Sequence, residues 1–167
     1  ISEWTEALTP LKQNYEYFVE PGHALSGNAV ALVTSIKAIK HFRGKRWIVV
    51  DVGTNQLAKI TLIRWPHQIL TEEGKPLISS VGNDIIAGPM CFAGDILFRD
   101  TDVGDVKVGD PLVITNAGAY TSSLGNFFNG VNAPRWILHD KEGFHEQLGE
   151  MKAYNDPSFL DYMWNIN

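Results

Sequence analysis

Three short motifs in this sequence carry the side chains most able to take part in chemistry. The first, Glu20-Pro21-Gly22-His23, joins a carboxylate to a glycine turn. The carboxylate can point into the mouth of a pocket, and a glycine turn offers a backbone N–H to an anion such as phosphate. The same four residues also fit a solvated strand end followed by a turn, and taken alone they favour that interpretation.

The second motif contains the only cysteine of the chain, Cys91, within residues 88–95 (Gly-Pro-Met-Cys-Phe-Ala-Gly-Asp). A single cysteine in an apolar setting is more often a small buried hydrophobe than a reactive group. Here it lies between two glycines on a predicted loop, which favours presentation of its side chain. Asp95, four residues further on, is able to cap or orient that loop.

The third motif, residues 116–120, reads Asn-Ala-Gly-Ala-Tyr. Small residues after a predicted strand allow a ligand or another backbone to approach closely. The hydroxyl of Tyr120 is then able to bind a phosphate group. A tight strand end with a half-buried tyrosine explains the same pattern, and taken alone the motif favours that interpretation.

Composition argues against several classes of partner. The net charge is −5 and the 14 basic residues are scattered, which disfavours nucleic acid. No apolar run approaches the ~20 residues of a membrane span. The five histidines show no metal-ligand spacing, so we predict no metal site. The single thiol excludes a disulfide within the chain and is compatible with the cytoplasm.

Hydrophobic patterning predicts a mainly β fold with helical ends. Helices are expected at residues 3–16 and, with Asp156 as N-cap, around 157–164. A hairpin is expected from two β-rich segments joined by a turn at residues 42–45. The predicted strands are residues 17–20, 29–39, 46–52, 61–70, 84–91, 95–98, 111–115 and 135–139. Such a series indicates a closed or nearly closed β-barrel.

Taken in order, the three motifs resemble the C-terminal region of the fold-type III pyridoxal-phosphate-dependent decarboxylases, the diaminopimelate, ornithine and arginine decarboxylases. Residues 125–130, with Pro134-Arg135, are similar to the asparagine-rich loop of the diaminopimelate branch, which is the nearest. The resemblance implies a Greek-key-like β-barrel of the alanine-racemase C-terminal type at residues 28–150. It also implies a remnant of a (β/α)₈ barrel at 1–27 and a helical tail at 151–167.

The resemblance also implies roles for individual residues. Glu20 would pair with the pyridinium nitrogen of pyridoxal 5'-phosphate, while Gly22, His23 and Tyr120 would bind the cofactor phosphate. A carboxylate at that nitrogen keeps it protonated, which lets the ring accept the electrons that remain on the α-carbon when CO₂ departs. Cys91 would cross into the active site of a partner subunit and help to reprotonate the α-carbon. A homodimer acting on an amino-acid substrate is therefore implied.

The sequence departs from the family pattern at positions that concern the substrate. His23 stands where the family has arginine, and an imidazole is a weaker phosphate clamp than a guanidinium. Phe92 stands where an acid usually pairs with the distal ammonium of the substrate. Lys59 and Ile63 replace an arginine and a tyrosine. We expect Phe92, Asp95 and Lys59 to contact substrate, and Phe92 indicates an apolar or differently charged substrate side chain.

The largest departure is the lack of the family's first half, the barrel that carries the Schiff-base lysine. None of the nine lysines has a matching context, and the chain begins at Ile1 without a start methionine. We therefore expect a trimmed chain that depends on an N-terminal barrel domain and is inactive alone. A non-catalytic regulatory or binding relative is the alternative, and an unrelated β-barrel binding module is a third.

Overall fold

The computed structural model describes residues 2–12, 15–18, 20–63, 67–71, 74, 76 and 82–147. Within these residues lie three short helices, α1 (Ser2–Leu8), α2 (His23–Ser26) and α3 (Ala58–Ile63). The same residues form the strands β1 (Leu32–Phe42), β2 (Lys45–Val50), β3 (Ile69–Leu70), β4 (Asp84–Ala87), β5 (Ile96–Thr101), β6 (Pro111–Ile114), β7 (Trp136–Asp140) and β8 (Gly143–Gln147). The predicted mainly β fold is confirmed.

Six strands form one sheet in the order β3-β6-β1-β2-β4-β5, and β7 and β8 form a separate ribbon. β6 returns from late in the chain to lie antiparallel beside β1, as in a Greek key. β2 and β4 run parallel, whereas all strands of a Greek key are antiparallel, so the arrangement is not a strict Greek key. In the described part of the chain, β3 and β5 are the two edges of a sheet that curls around one core.

The predicted hairpin of β1 and β2 is confirmed, with Phe42 paired to Lys45 across a two-residue turn. Both turn residues have positive φ, 51° at Arg43 and 73° at Gly44. Such a turn matches the natural twist of two antiparallel strands. The hairpin provides the long central pair of the sheet.

The core is formed by alternate residues of the strands, because successive side chains of a strand point to opposite faces. Strands from both edges of the sheet contribute, which shows that the sheet curls. The core cluster consists of Ile36, Ile48, Val50, Val52, Leu57, Ile69, Ile86, Leu97, Val103, Leu112 and Ile114. Leu57, just before α3, anchors that helix to the sheet.

Several predicted boundaries are wrong. α1 ends at Leu8 and a single 3₁₀ turn, Thr9–Leu11, follows, because Pro10 cannot continue the helical hydrogen bonds. Residues 17, 18 and 20 belong to no strand, since no described strand lies beside them to form a ladder. The segment 61–70 begins in α3 and reaches a strand only at Ile69.

The predicted helix at 157–164 and the tail at 151–167 lie outside the described residues. In the part of the chain that the structure describes, no helix is long and apolar enough to cross a membrane.

Candidate functional site

The third motif forms a loop after β6, here called the tyrosine loop (residues 116–120). Its two end residues have left-handed backbones, with φ of 62° at Asn116 and 60° at Tyr120. Non-glycine residues seldom adopt this conformation, and it persists where surrounding contacts hold it. The tyrosine loop is therefore a constrained segment.

The tyrosine loop packs against the chain that follows the first motif. The N–H of Ala117 donates to the carbonyl of Val30, and that of Gly118 to the carbonyl of Gly27, both at 2.9 Å. A Cβ at Gly118 would lie 1.7 Å from the carbonyl oxygen of Ser26, so only glycine allows this approach. The first and third motifs, far apart in sequence, are thereby brought together.

Gly22 and Tyr120 share one surface. A Cβ placed on Gly22 would lie 3.4 Å from the Tyr120 hydroxyl oxygen. Tyr120 is 55% exposed, and Glu20 is also exposed two residues before the glycine. A hydroxyl donor beside a bare stretch of backbone is suited to an anionic group.

His23 is half-buried beneath this surface. A Cβ on Gly27 would lie 2.4 Å from Cε1 of His23 and 2.5 Å from Oδ1 of Asn116, so the glycine makes room for both side chains. Burial first, and the nearby Lys59 ammonium second, lower the pKa of His23 below its ordinary value. At neutral pH the imidazole is therefore neutral, which makes it a poor counter-charge for phosphate.

Lys59, expected at the substrate, lies inside the protein. Its side chain is 0% exposed. The ammonium donates to the carbonyl of Ala119 at 2.7 Å and to that of Asn116 at 3.4 Å. Burial lowers the pKa of Lys59. The structure thus directs this lysine to the backbone of the tyrosine loop.

His67 is a third basic side chain at this place, and it belongs to none of the three motifs. Its Nδ1 lies 3.0 Å from the carbonyl of Thr115, next to the tyrosine loop. Burial lowers the pKa of His67, the Thr115 carbonyl opposes this effect, and Lys59 and His23 lower the pKa further. No motif marked His67, because its role depends on a strand distant in sequence.

Asp95 organises the second motif, here called the cysteine loop (residues 88–95). Its carboxylate is buried, at 3% exposure, and accepts N–H bonds of 2.7 Å from Thr54 and Met90. The Thr54 hydroxyl donates a third bond of 3.0 Å. Asp95 is therefore buried beneath the loop that it was expected to orient. Its carboxylate is not exposed at the protein surface, where a substrate contact was expected.

Cys91 is exposed at the tip of the cysteine loop, and its backbone N–H donates to Oδ1 of Asn129 at 3.0 Å. Phe92, 48% exposed, packs edge-on against Phe128 with ring centres 5.9 Å apart. Both partners belong to residues 126–132, here called the asparagine loop. The cysteine loop and the asparagine loop together therefore hold Cys91, whose thiol was expected to donate a proton.

The asparagine loop is tied to the turn before α3. Asn126 and Asn55 exchange two bonds, with the Asn126 N–H donating at 2.9 Å and the Asn55 amide donating at 3.2 Å. The Gln56 amide donates to the carbonyl of Asn132 at 2.7 Å. Residues 53–60 thus contact the cysteine, asparagine and tyrosine loops, a framework that sequence motifs did not reveal.

No group of three or more potential metal ligands occurs among the residues that the structure describes. The Tyr120 hydroxyl and the bare backbone at Gly22 form one surface, with Glu20 exposed two residues before the glycine. Cys91 is exposed separately, on the cysteine loop.

This fold and these motifs define a domain class. The chain belongs to the pyridoxal-dependent decarboxylases, whose C-terminal sheet domain matches residues 15–118. Pyridoxal phosphate is the cofactor of that family.

The relatives narrow the class further. The chain is 31% identical over 141 residues to the diaminopimelate decarboxylase of Methanocaldococcus jannaschii, covering 83% of this chain and 31% of the relative. It is 35% identical over 122 residues to that of Neisseria meningitidis serogroup A, covering 73% and 29%. The structure of the M. jannaschii enzyme with L-lysine superposes with a TM-score of 0.70 at 26% identity, covering 90% and 36%. The chain therefore spans about a third of these relatives' length.

Proposed function

We propose that this chain is the C-terminal domain of a pyridoxal-phosphate-dependent amino-acid decarboxylase of the diaminopimelate type. It contributes cofactor contacts through Glu20, Gly22 and Tyr120, and a proton donor through Cys91. It depends on an N-terminal barrel domain for the Schiff-base lysine. The observation that carries the proposal is the approach of the Tyr120 hydroxyl to Gly22.

The residues at this surface fit a phosphate ester. The Tyr120 hydroxyl is a hydrogen-bond donor, and Gly22 leaves the space beside it open because it has no side chain. His23 adds little charge while its imidazole is neutral. Tyr120 and Gly22 would hold the phosphate, and the exposed carboxylate of Glu20 would hold a proton on the pyridinium nitrogen. Bound pyridoxal phosphate supplies an electron sink for decarboxylation.

Cys91 is suited to deliver a proton to an α-carbon because it is exposed while its backbone is held. Its loop is fixed by Asp95 from inside and by Asn129 from outside. A positioned thiol is an effective general acid. We propose that the thiol acts in the active site of a second subunit, which makes the working protein a homodimer.

The substrate is an amino acid whose side chain meets Phe92. A half-exposed phenyl ring, packed on Phe128, offers an apolar surface and no charge. A distal ammonium would lose hydration there without gaining a carboxylate partner. The proposed substrate therefore has an apolar or differently charged side chain, as the sequence indicates.

The N-terminal barrel domain is the proposed partner of the first described segment. Tyr15, Phe18 and Leu25 are 67%, 83% and 59% exposed, and such large apolar side chains gain from being covered. They lie beside the first motif, where the family's barrel would join. The cytoplasm stays our proposed location because Cys91 is a free thiol.

Binding of pyridoxal phosphate to the 167-residue chain tests the cofactor surface. We expect a saturable change in the phosphorus NMR signal of the cofactor. Tyr120→Phe should weaken the affinity about tenfold, because one hydrogen bond to a charged group is lost. Tyr15→Phe, a change at an exposed tyrosine elsewhere, is the matched control. No saturable change for the unmodified chain contradicts the proposal. Equal affinity of the two variants contradicts the role of Tyr120.

Borohydride reduction followed by mass spectrometry locates any covalent adduct. We expect none at stoichiometric yield, because the reactive lysine is assigned to the N-terminal domain. A single stoichiometric adduct on one lysine of this chain would show that the chain binds its cofactor covalently by itself, against the proposal.

A non-catalytic regulatory relative is the second candidate. His23 and Phe92 favour it, because the resemblance places functional residues of another type, an arginine and an acid, at these two positions. Cys91→Ser distinguishes the two in the protein assembled with its barrel domain. Loss of CO₂ release supports the decarboxylase, whereas unchanged release by the assembled protein supports the regulatory relative.

A further inference from the structure

We propose that Lys59 is a positioning residue whose ammonium holds the two ends of the tyrosine loop and so sets where the Tyr120 hydroxyl lies relative to Gly22. The inference rests on the proposed function only in assigning a cofactor phosphate to Tyr120. This role replaces the substrate contact that the sequence led us to expect for Lys59, because its side chain has no exposed surface.

The bonds of Lys59 fall where the loop needs support. The N–H groups of Ala117 and Gly118 fix only its middle. The Lys59 ammonium instead reaches the carbonyls of Asn116 and Ala119, which begin the loop and precede Tyr120. Those are the positions where the backbone enters and leaves its left-handed turns. Without the ammonium, Tyr120 would lose the contact that orients its approach.

The backbone just before Lys59 is anchored in the core. The N–H groups of Gln56 and Leu57 both donate to the carbonyl of Gly53, which closes the turn that leads into α3. Leu57 is fully buried in the core of the sheet. Lys59 lies two residues beyond this anchor, so its backbone is attached to the core of the sheet while its side chain extends to the tyrosine loop.

Lys59 also acts electrostatically on the first motif. Its charge is one of the two causes that lower the pKa of His23. The Lys59 ammonium therefore acts on both the first and the third motif, through its charge on His23 and through its bonds to the carbonyls of Asn116 and Ala119.

Lys59→Met in the full chain tests this inference, since methionine keeps much of the length and removes the charge and the donors. Amide hydrogen exchange reports on the loop. We expect the Ala117 and Gly118 amides, which donate to Val30 and Gly27, to exchange about tenfold faster while those of Leu112 and Ile114 keep their rates, because only the loop is released. Lys40→Met, a change at an exposed lysine of β1, is the control and should alter neither.

A histidine titration by NMR separates positioning from a general loss of stability. We expect the pKa of His23 to rise in Lys59→Met, because a neighbouring positive charge is gone. Lys59→Gln should restore part of the loop's protection, since its amide is a donor without charge. If Lys59→Met fails to fold, Lys59→Gln alone decides: loop amides that exchange no faster than in the unmodified chain, together with an unchanged His23 pKa, overturn the inference.

Pyridoxal phosphate affinity distinguishes this inference from the proposed function. Weaker binding by Lys59→Met, by about tenfold with an unchanged core, supports both. A chain that binds no cofactor but releases its loop in Lys59→Met supports the inference and contradicts the function. A chain that binds cofactor, with loop exchange unchanged in Lys59→Met, overturns the inference and leaves the function standing.

Discussion

The backbone N–H of Cys91 donates a hydrogen bond of 3.0 Å to the side-chain oxygen of Asn129. Asn129 itself has a left-handed backbone, with φ of 59°, a conformation that asparagine tolerates better than most residues. One asparagine therefore both turns its own loop and holds the cysteine loop. The hydrogen bond involves the backbone of Cys91 and not its thiol, so the thiol is positioned through the backbone.

Asn129→Gly separates these two functions, because glycine keeps the turn and removes the acceptor. We expect the Cys91 amide to exchange about tenfold faster in Asn129→Gly and in Asn129→Ala. Asn129→Asp, which retains an acceptor oxygen, should protect the amide. Amide exchange followed by NMR provides the measurement, and unchanged exchange in Asn129→Gly would show that the bond does not hold the cysteine loop.

Gly118→Ala should disrupt the contact between the first and third motifs. The new Cβ would meet the carbonyl oxygen of Ser26 at 1.7 Å, so the backbone must move. We expect a loss of about 2 kcal/mol in the free energy of unfolding, measured in urea. Gly22→Ala is the matched control, because its nearest contact is an ordinary 3.4 Å. It should barely change stability while weakening cofactor binding.

Asp95→Ala should destabilise the protein by about 3 kcal/mol, because the buried N–H groups of Thr54 and Met90 would lose their acceptor. Thermal and urea unfolding provide the measurement. Asp102→Ala removes an exposed carboxylate that accepts a turn bond from the N–H of Gly104, and it should cost much less. Equal losses for the two variants would contradict an organising role for Asp95 within the cysteine loop.

Stability should fall in acid through Asp84. Desolvation acts to raise the pKa of this carboxyl, but hydrogen bonds from Arg46 and from the N–H of Val103 outweigh it and hold the pKa below its ordinary value. A depressed folded-state pKa contributes stability above the unfolded value, near ~3.9, and that contribution is lost as the pH falls through the folded value.

Asp84→Asn tests this contribution. We expect a loss of about 2 kcal/mol at pH ~7, shrinking as the pH falls below ~4, because the wild-type carboxylate is then neutralised as well. Urea unfolding across pH gives the difference. Asp105→Asn removes an exposed charge that also acts on Arg46 and serves as control. A difference between Asp84→Asn and wild type that does not depend on pH would refute the assignment.

Local chemistry made much of this protein predictable from its sequence. The turn at Arg43-Gly44 and the strand β6 follow from glycine placement and β-rich runs, and the structure has both. The three motifs indicated the family, and the comparisons confirm it. Their predicted contact roles remain proposals. Boundaries failed where a strand depends on a neighbour, as at residues 17, 18 and 20, because pairing is a property of two segments.

By itself, the sequence determined the mainly β class, the hairpin and the identity of the residues able to do chemistry, because these depend on neighbours along the chain. Only the tertiary structure decided that Lys59 points inward to Ala119, and that Asn129 supports Cys91. These contacts join residues 60 and 38 positions apart. No local pattern encodes such contacts, because they arise only when the curled sheet brings its loops to one end.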